Sequence, residues 1–428
     1  MKKQHILPLA ITLMGGTSLY ADQSQTTGMI NHTNNPRSVR EIMGTNNPIE
    51  HAKGQIRLGY ITFDSDGDTP TTGYGLGGHF HLDTKRWNGL EIGVSAYTVL
   101  NLGINQNPAN VNPDFFDEKG KSFIMLSEAY LDGKWGGTEI KLGRQILDTP
   151  HADSDDIRMI PNYFEAYTIT NSDIDGLTLQ AGFIRTMGGW ENGVDASRFV
   201  RIHETLDSDE ATDGVYYGSA VYEGIKDLTL SLWYYNFKDI ADVVYAEAGY
   251  SHTFSDNLQV VFGLQYDSAK QSGAALLGRQ DANTFGFSAE LAFEQTGIHI
   301  LGAYNKDNGS TGATPLSLGG GPFFTSMEDQ TLDALNAPGK AWMLGGGYHF
   351  SAVGIDGLNA GIAYGHFEAD EASLYESHET DAVIEYTYSD RLTMTAAFAD
   401  VVFEAGKGEN GDKLQDFRQF RLVMNYSL

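Results

Sequence analysis

The feature that most constrains this chain is a period-two alternation of apolar with small or polar residues, repeated from Gly54 to the end of the sequence in runs of about ten residues. In one run Leu258, Val260, Phe262, Leu264 and Tyr266 interleave with Gln259, Val261, Gly263, Gln265 and Asp267. In another, Phe285, Phe287, Ala289, Leu291 and Phe293 interleave with Gly286, Ser288, Glu290, Ala292 and Glu294. Successive side chains of an extended strand point to opposite faces, so each run presents one oily face and one wet face. A soluble two-layer sheet alternates as well. Length separates the two cases, because about ten residues is what a tilted strand needs to cross the hydrocarbon core of a bilayer.

Such runs fall at 54–63, 73–82, 89–102, 123–133, 138–147, 164–171, 177–187, 213–223, 228–237, 240–252, 258–268, 283–293, 298–305, 340–350, 358–367, 379–388, 391–402 and 414–428. The count is eighteen, and an even number is what a closed antiparallel bacterial barrel requires. Closure follows from backbone chemistry, since hydrocarbon offers an open sheet edge no hydrogen-bond partner. The expected fold is therefore all-β, a closed antiparallel transmembrane β-barrel of about eighteen strands. Short links at 134–137, 223–227, 255–257, 295–297 and 389–390 are expected to be periplasmic turns. Long links at 105–121, 148–163, 188–212, 268–282, 306–339 and 404–413 are expected to be external loops. Tyr60, Tyr97, Trp135, Tyr234, Tyr266, Tyr304, Trp342, Tyr348 and Tyr364 are assigned to interfacial aromatic girdles.

Three parts are expected: a signal peptide at 1–21, a polar lead-in at 22–53 in the periplasm or the lumen, and the barrel at 54–428. Lys2 and Lys3 precede an apolar core from Ile6 to Met14, and Ser18-Leu19-Tyr20-Ala21 ends in a cleavage site. That core is too short for a membrane anchor. Ser38 to Met43 has the composition for one or two helical turns. With no cysteine in the chain, disulfides and thiolate metal sites are excluded. Loss of Lys2 and Lys3 takes the net charge from -28 to -30, which excludes nucleic acid as a partner. Such acidity suits the outer membrane's lipids and lipopolysaccharide, where divalent ions bridge acidic loops.

No G-x-S-x-G elbow or H-E-x-x-H helix occurs, so no enzymatic activity and no cofactor are expected. Asp64, Asp66 and Asp68 place oxygens at alternate positions, as loops holding a structural divalent cation do. They lack the glycine and glutamate placement of an EF-hand. His79 and His81 share a strand face without a visible third ligand.

If the oily faces meet lipid, Arg57 on the first strand and Arg421 on the last face the lumen, and closure makes their strands neighbours. With Lys141, which shares its strand face with Glu139, they form a candidate basic strip able to guide carboxylates. The plainer reading is that each cation pairs with a nearby carboxylate. Between the fifth and sixth runs the loop 148–163 carries Asp148, Pro150, Asp153, Asp155, Asp156, Arg158 and Tyr163. It is expected to fold into the channel and set its acids opposite the strip, creating a transverse field. Arg158 is expected to pin the loop to a wall carboxylate.

This stretch also carries a likeness. Gly143-Arg144-Gln145, Asp148-Thr149-Pro150, Asp156, Arg158, Pro161, Phe164 and the run Asp173 to Leu179 resemble the corresponding segment of the OprD-like family of outer-membrane porins, in an epsilonproteobacterial-type member. The terminal Phe420, Leu422, Met424, Tyr426 and Leu428 alternate like the family's assembly signal, with leucine in place of the usual final phenylalanine. The resemblance implies an eighteen-stranded barrel narrowed by its third external loop, passing small carboxylate-bearing or basic solutes over basic wall residues. It alone brings Arg144 into the strip, because Arg144 has the wrong strand parity unless Gly143 marks a bulge. Family members are often monomers and general porins trimers, so a monomer or a homotrimer is expected. The function expected is a passive porin for small hydrophilic solutes, whether carboxylates, amino acids or cations, with the acidic balance favouring cations. The alternative is a non-channel barrel serving as an adhesin or surface structural protein, motivated by the long links 188–212 and 306–339.

Overall fold

The computed structural model describes residues 48–104, 110–255, 257–408 and 411–428. The expected signal peptide and the helical turns near Ser38 lie outside the described residues. The strands, in order, are β1 (Ile49–Ser65), β2 (Thr71–Thr84), β3 (Leu90–Asn101), β4 (Phe123–Trp135), β5 (Thr138–Gln145), β6 (Tyr163–Ile174), β7 (Leu177–Gly188), β8 (Val200–Arg201), β9 (Val215–Ile225) and β10 (Leu228–Phe237). They continue as β11 (Ala241–Ser255), β12 (Leu258–Gln271), β13 (Asp281–Phe293), β14 (Ile298–Asp307), β15 (Gly339–His349), β16 (Leu358–Ala369), β17 (Tyr375–Ser389), β18 (Leu392–Gly406) and β19 (Phe417–Ser427). No described helix is long and apolar enough to cross a membrane; the strands have that length instead.

Each long strand pairs antiparallel with its neighbours, and β1 pairs with both β2 and β19, which closes the ring. The stub β8 pairs only with β7, which itself continues to β9. The result is a closed eighteen-strand barrel with one extra strand, and each of the expected runs overlaps a ring strand. The first strand begins at Ile49, ahead of the change of period at Gly54.

The alternation fixes which face each residue takes. Ile56 and Leu58 are exposed on the outside while Arg57 between them is 1% exposed. Leu264 is likewise exposed and Gln265 beside it buried. Of the expected girdle, Trp135, Tyr234, Tyr304 and Tyr364 lie exposed. Tyr97 does not: it shares the inward parity of Ser95 and Val99, is buried, and meets Tyr163 edge to face at 6.4 Å.

The interior is packed by loops. Leu147 and Ala152 of the β5–β6 loop join Leu316 and Leu318 of the β14–β15 loop against the inward faces of strands β6 to β13. Phe323, Met327, Leu332 and Leu335 pack on the inward faces of β14 to β18. Met159 and Ile160 pack with Phe115, Ile61 and Tyr97. At Gly59 a Cβ would sit 2.5 Å from the Met159 sulfur and 2.9 Å from Phe115, so the bare backbone there is what lets the loops reach the wall. The link 306–339, expected as a long external loop, is packed into the barrel's interior.

Candidate constriction and its ion-pair network

The β5–β6 loop turns inward at a tight corner. Thr149 N–H donates to Ala152 O at 2.8 Å and Ala152 N–H returns to Thr149 O at 3.2 Å, with Pro150 and His151 at the tip. Proline presets the backbone angle that such a corner needs. His151 is fully buried, with Nε2 2.7 Å from Asp267 Oδ2 on β12 and Nδ1 2.8 Å from Leu316 O. Leu318 N–H donates to His151 O at 3.0 Å and Asp153 N–H to Leu318 O at 3.2 Å. The two loops thereby dock as a short parallel pair at Ala152 and Leu318.

Past this dock come the ions. Both oxygens of Asp156 clasp Arg57, Nη2 to Oδ2 at 2.8 Å. Arg57 also donates through Nη1 to Arg158 O at 2.8 Å and through Nε to Asn425 Oδ1 at 2.7 Å. Arg158 donates to Glu328 Oε1 at 3.0 Å, lies over the Trp190 ring at 4.6 Å, and has Asp114 3.7 Å away. Arg421 grips the same Glu328, Nη2 to Oε2 at 3.1 Å. One carboxylate of the β14–β15 loop therefore joins a loop guanidinium to a wall guanidinium. Wall carboxylates hold that loop in turn: Asp381 accepts Glu328 N–H at 3.1 Å, and Glu379 accepts Asp329 N–H at 2.9 Å and Gln330 N–H at 2.7 Å.

A second group of acids sits where three loops meet. Glu191, from the loop between β7 and β9, accepts Asn162 Nδ2–H at 2.6 Å and Gly320 N–H at 3.1 Å. Burial pushes Asp155 up to about 6, with Arg158 pulling back. Burial also raises Glu191 well above the usual range, and Asp155 adds to it. Asp148 and Asp153 are raised by the same cause, although Ser154 donates to Asp148 at 2.6 Å.

Several expectations change. Asp156 does not face the strip across a gap but binds it, meeting Arg57 through both carboxylate oxygens. Arg158 pairs with carboxylates of two other loops rather than with the wall. Lys141 does not join Arg57 and Arg421: it is opposite Asp132 on β4, four strands round from β1, with its amine 4.4 Å from the Tyr130 ring. Arg144 stays on the outer side. The bulge lies at Ser127 on β4 rather than at Gly143, so Arg144 keeps its outward parity, donates to Leu126 O and stacks on Phe199 at 4.2 Å. Among the described residues no three His, Asp or Glu converge as metal ligands, Asp64, Asp66 and Asp68 included. His81 bonds Asp83 and Glu128 instead. Glu328, His151, Asp267 and Glu191 were not singled out from sequence. The available signal was Phe323, Phe324, Met327, Leu332 and Leu335 within a supposed external loop, apolar residues that water would not favour.

A lipid-faced closed barrel narrowed by inward loops defines an outer-membrane channel. The model of the OprD family of outer-membrane porins matches residues 91–428, and the chain belongs to that family. Its fold is similar to OccAB2 of Acinetobacter baumannii (TM-score 0.75, 17% identity, 90% of this chain and 99% of that one). OccK9 (OpdG) of Pseudomonas aeruginosa is similar too (TM-score 0.74, 19% identity, 88% and 98%). So is OpdK of Pseudomonas aeruginosa, solved with vanillate (TM-score 0.70, 19% identity, 88% and 98%). Among curated proteins, none matches the sequence.

Proposed function

We propose that this porin is a passive channel for small hydrophilic solutes that favours cations, with the β5–β6 and β14–β15 loops together as its filter. One observation carries the reading: the inward guanidiniums Arg57 and Arg421 are already engaged by Asp156 and Glu328. The charge that would draw a carboxylate is thereby neutralised at the filter, inside a chain of net charge -28. A field of one sign concentrates ions of the other in a low-dielectric passage. Drawing in a carboxylate-bearing solute, such as the vanillate with which OpdK was solved, needs an unpaired cation at this level. Packing of the 306–339 segment against the barrel's inward faces supports a filter over an adhesive projection.

The test is the reversal potential of the purified protein in planar bilayers under a potassium chloride gradient. Potassium is expected to permeate in preference to chloride. Glu328→Gln should lower that preference and Arg421→Gln should raise it. Chloride preference in the unmodified channel would remove the cation reading.

A further inference from the structure

We infer that the outer surface of strands β5 to β8 binds the phosphates of a glycolipid of the outer leaflet through Arg144, Arg185 and Arg201. The three lie in one row across neighbouring strands. Arg144 is opposite Glu165, Glu165 is opposite Thr186 with Arg185 bulged beside it, and Thr186 is opposite Arg201. Parity settles the side. Gln145, Phe164, Met187 and Val200, the adjacent residues in the same register, are all buried in the interior, so the row faces out, and Arg185 and Arg201 are exposed. With strands about 4.8 Å apart the row is about 14 Å long. The stub β8, which adds nothing to ring closure, consists of Val200 and Arg201 and supplies the row's last cation. The row lies at the strand ends that carry the long β5–β6 loop, on the external side. Two residues toward the periplasm, Tyr167 and Phe183 stack at 6.3 Å and Phe183 meets Tyr216 at 4.6 Å. Cations just outside such an aromatic girdle sit at the level of lipid headgroups.

Charge balance distinguishes this stretch of the rim. Elsewhere the outward cations near the external end are matched: Lys270 pairs with Asp281, Lys306 with Asp370, Lys340 with Glu368 at 3.1 Å and Arg418 with Asp400 at 2.8 Å. In the row a single carboxylate, Glu165, stands among three guanidiniums, and it accepts Arg185 Nη1 at 2.9 Å. Of the acids nearby, Asp195 and Glu204 lie 3.7 Å and 4.0 Å from Arg198, and Glu204 also accepts the Arg201 backbone N–H at 2.8 Å. Among the described residues neither Arg144 nor Arg201 forms an ion pair through its side chain. Stacking on Phe199 at 4.2 Å and one bond to Leu126 O at 2.9 Å fix the Arg144 plane and leave its other N–H groups for a ligand. A guanidinium fork matches two phosphate oxygens at once. Two unmatched forks on a chain of net charge -28 therefore call for anions from outside. A lipopolysaccharide headgroup, with phosphates at separate points on its sugars, can meet the row at more than one place, and direct contact with arginine needs no divalent bridge. The site lies outside the barrel and stands apart from the filter.

The experiment measures, by native mass spectrometry, the lipopolysaccharide that the purified channel retains in detergent containing EDTA. The chelator removes lipid held only through divalent ions. Intact lipopolysaccharide is expected to stay bound, and lipopolysaccharide stripped of its phosphates is not. R144Q/R201Q should weaken retention by about tenfold for each arginine removed. Lys340→Gln, which removes an outward cation of β15 already paired with Glu368, should leave retention unchanged. Arg201→Gln alone touches no ring strand, so its loss of lipid cannot come from a misfolded barrel, and an unchanged urea midpoint extends that control to the double variant. R144K/R201K keeps the charge without the fork and should recover only part of the binding. The glycolipid site is overturned if the unmodified channel emerges bare in EDTA, or if Lys340→Gln loses as much lipid as R144Q/R201Q. It is overturned equally if phosphatidylglycerol or the dephosphorylated lipid competes as well as intact lipopolysaccharide, since the row would then not read a phosphorylated sugar headgroup.

Discussion

At the scale of single residues, the filter is an exercise in leaving no buried charge alone. Arg57 spends Nε, Nη1 and Nη2 on Asn425, Arg158 O and Asp156, and its side chain is 1% exposed. Removing one member of such a pair strands the other in a medium that solvates it poorly, which costs about 3–5 kcal/mol. Arg57→Met is therefore expected to destabilise the folded barrel by that order, read as a lower urea midpoint. The double variant Arg57→Met with Asp156→Asn should recover part of the loss, since neither charge is then left behind. If the double variant is as unstable as the sum of the single ones, the pair is not coupled. Arg57 and Arg421 were legible because parity is binary: once Ile56 and Leu58 face lipid, Arg57 cannot. Their partners were not legible, because a loop's path across a lumen depends on which glycines, such as Gly59, leave the wall bare.

The elements divide along the same line. Every ring strand was announced by its own period, a local property that needs no knowledge of the neighbours. The β14–β15 loop has no period, and length alone suggested an external excursion. Its Phe323, Met327, Leu332 and Leu335 instead fill the interior, while Leu316 and Leu318 receive the turn at His151 and Ala152. The two loops are thus mutually dependent, and removing one should loosen the other. Replacing residues 314–334 with a short Gly-Ser linker deletes Glu328, the partner of Arg158 and Arg421, and the docking edge at Leu318. The barrel should still close, because no ring strand is touched. Single-channel conductance should rise and larger polyethylene glycols should enter. Unchanged conductance and polymer cutoff would mean that this loop does not narrow the path.

At the scale of the whole molecule, stability comes from a sheet without edges immersed in oil, so the two faces of one strand should answer mutation in different currencies. Leu264, near the middle of β12, is 60% exposed on the outside, while Gln265 beside it donates to Tyr245 Oη at 2.9 Å and accepts from Asn305 at 2.8 Å. In lipid, Leu264→Arg places a guanidinium near the bilayer centre, at a cost of about 2–4 kcal/mol. The cost should diminish in a thinner bilayer, where the side chain reaches the headgroups sooner. Gln265 also donates to Pro322 O and accepts Phe324 N–H, so Gln265→Ala removes loop anchoring inside the barrel, where lipid does not reach, and its effect should not change with bilayer thickness. Urea unfolding of the reconstituted protein in vesicles of two acyl-chain lengths reads both at once. A Leu264→Arg penalty indifferent to thickness would contradict a lipid-facing Leu264, and with it the inward parity assigned to Arg57 and Arg421 on the same sheet.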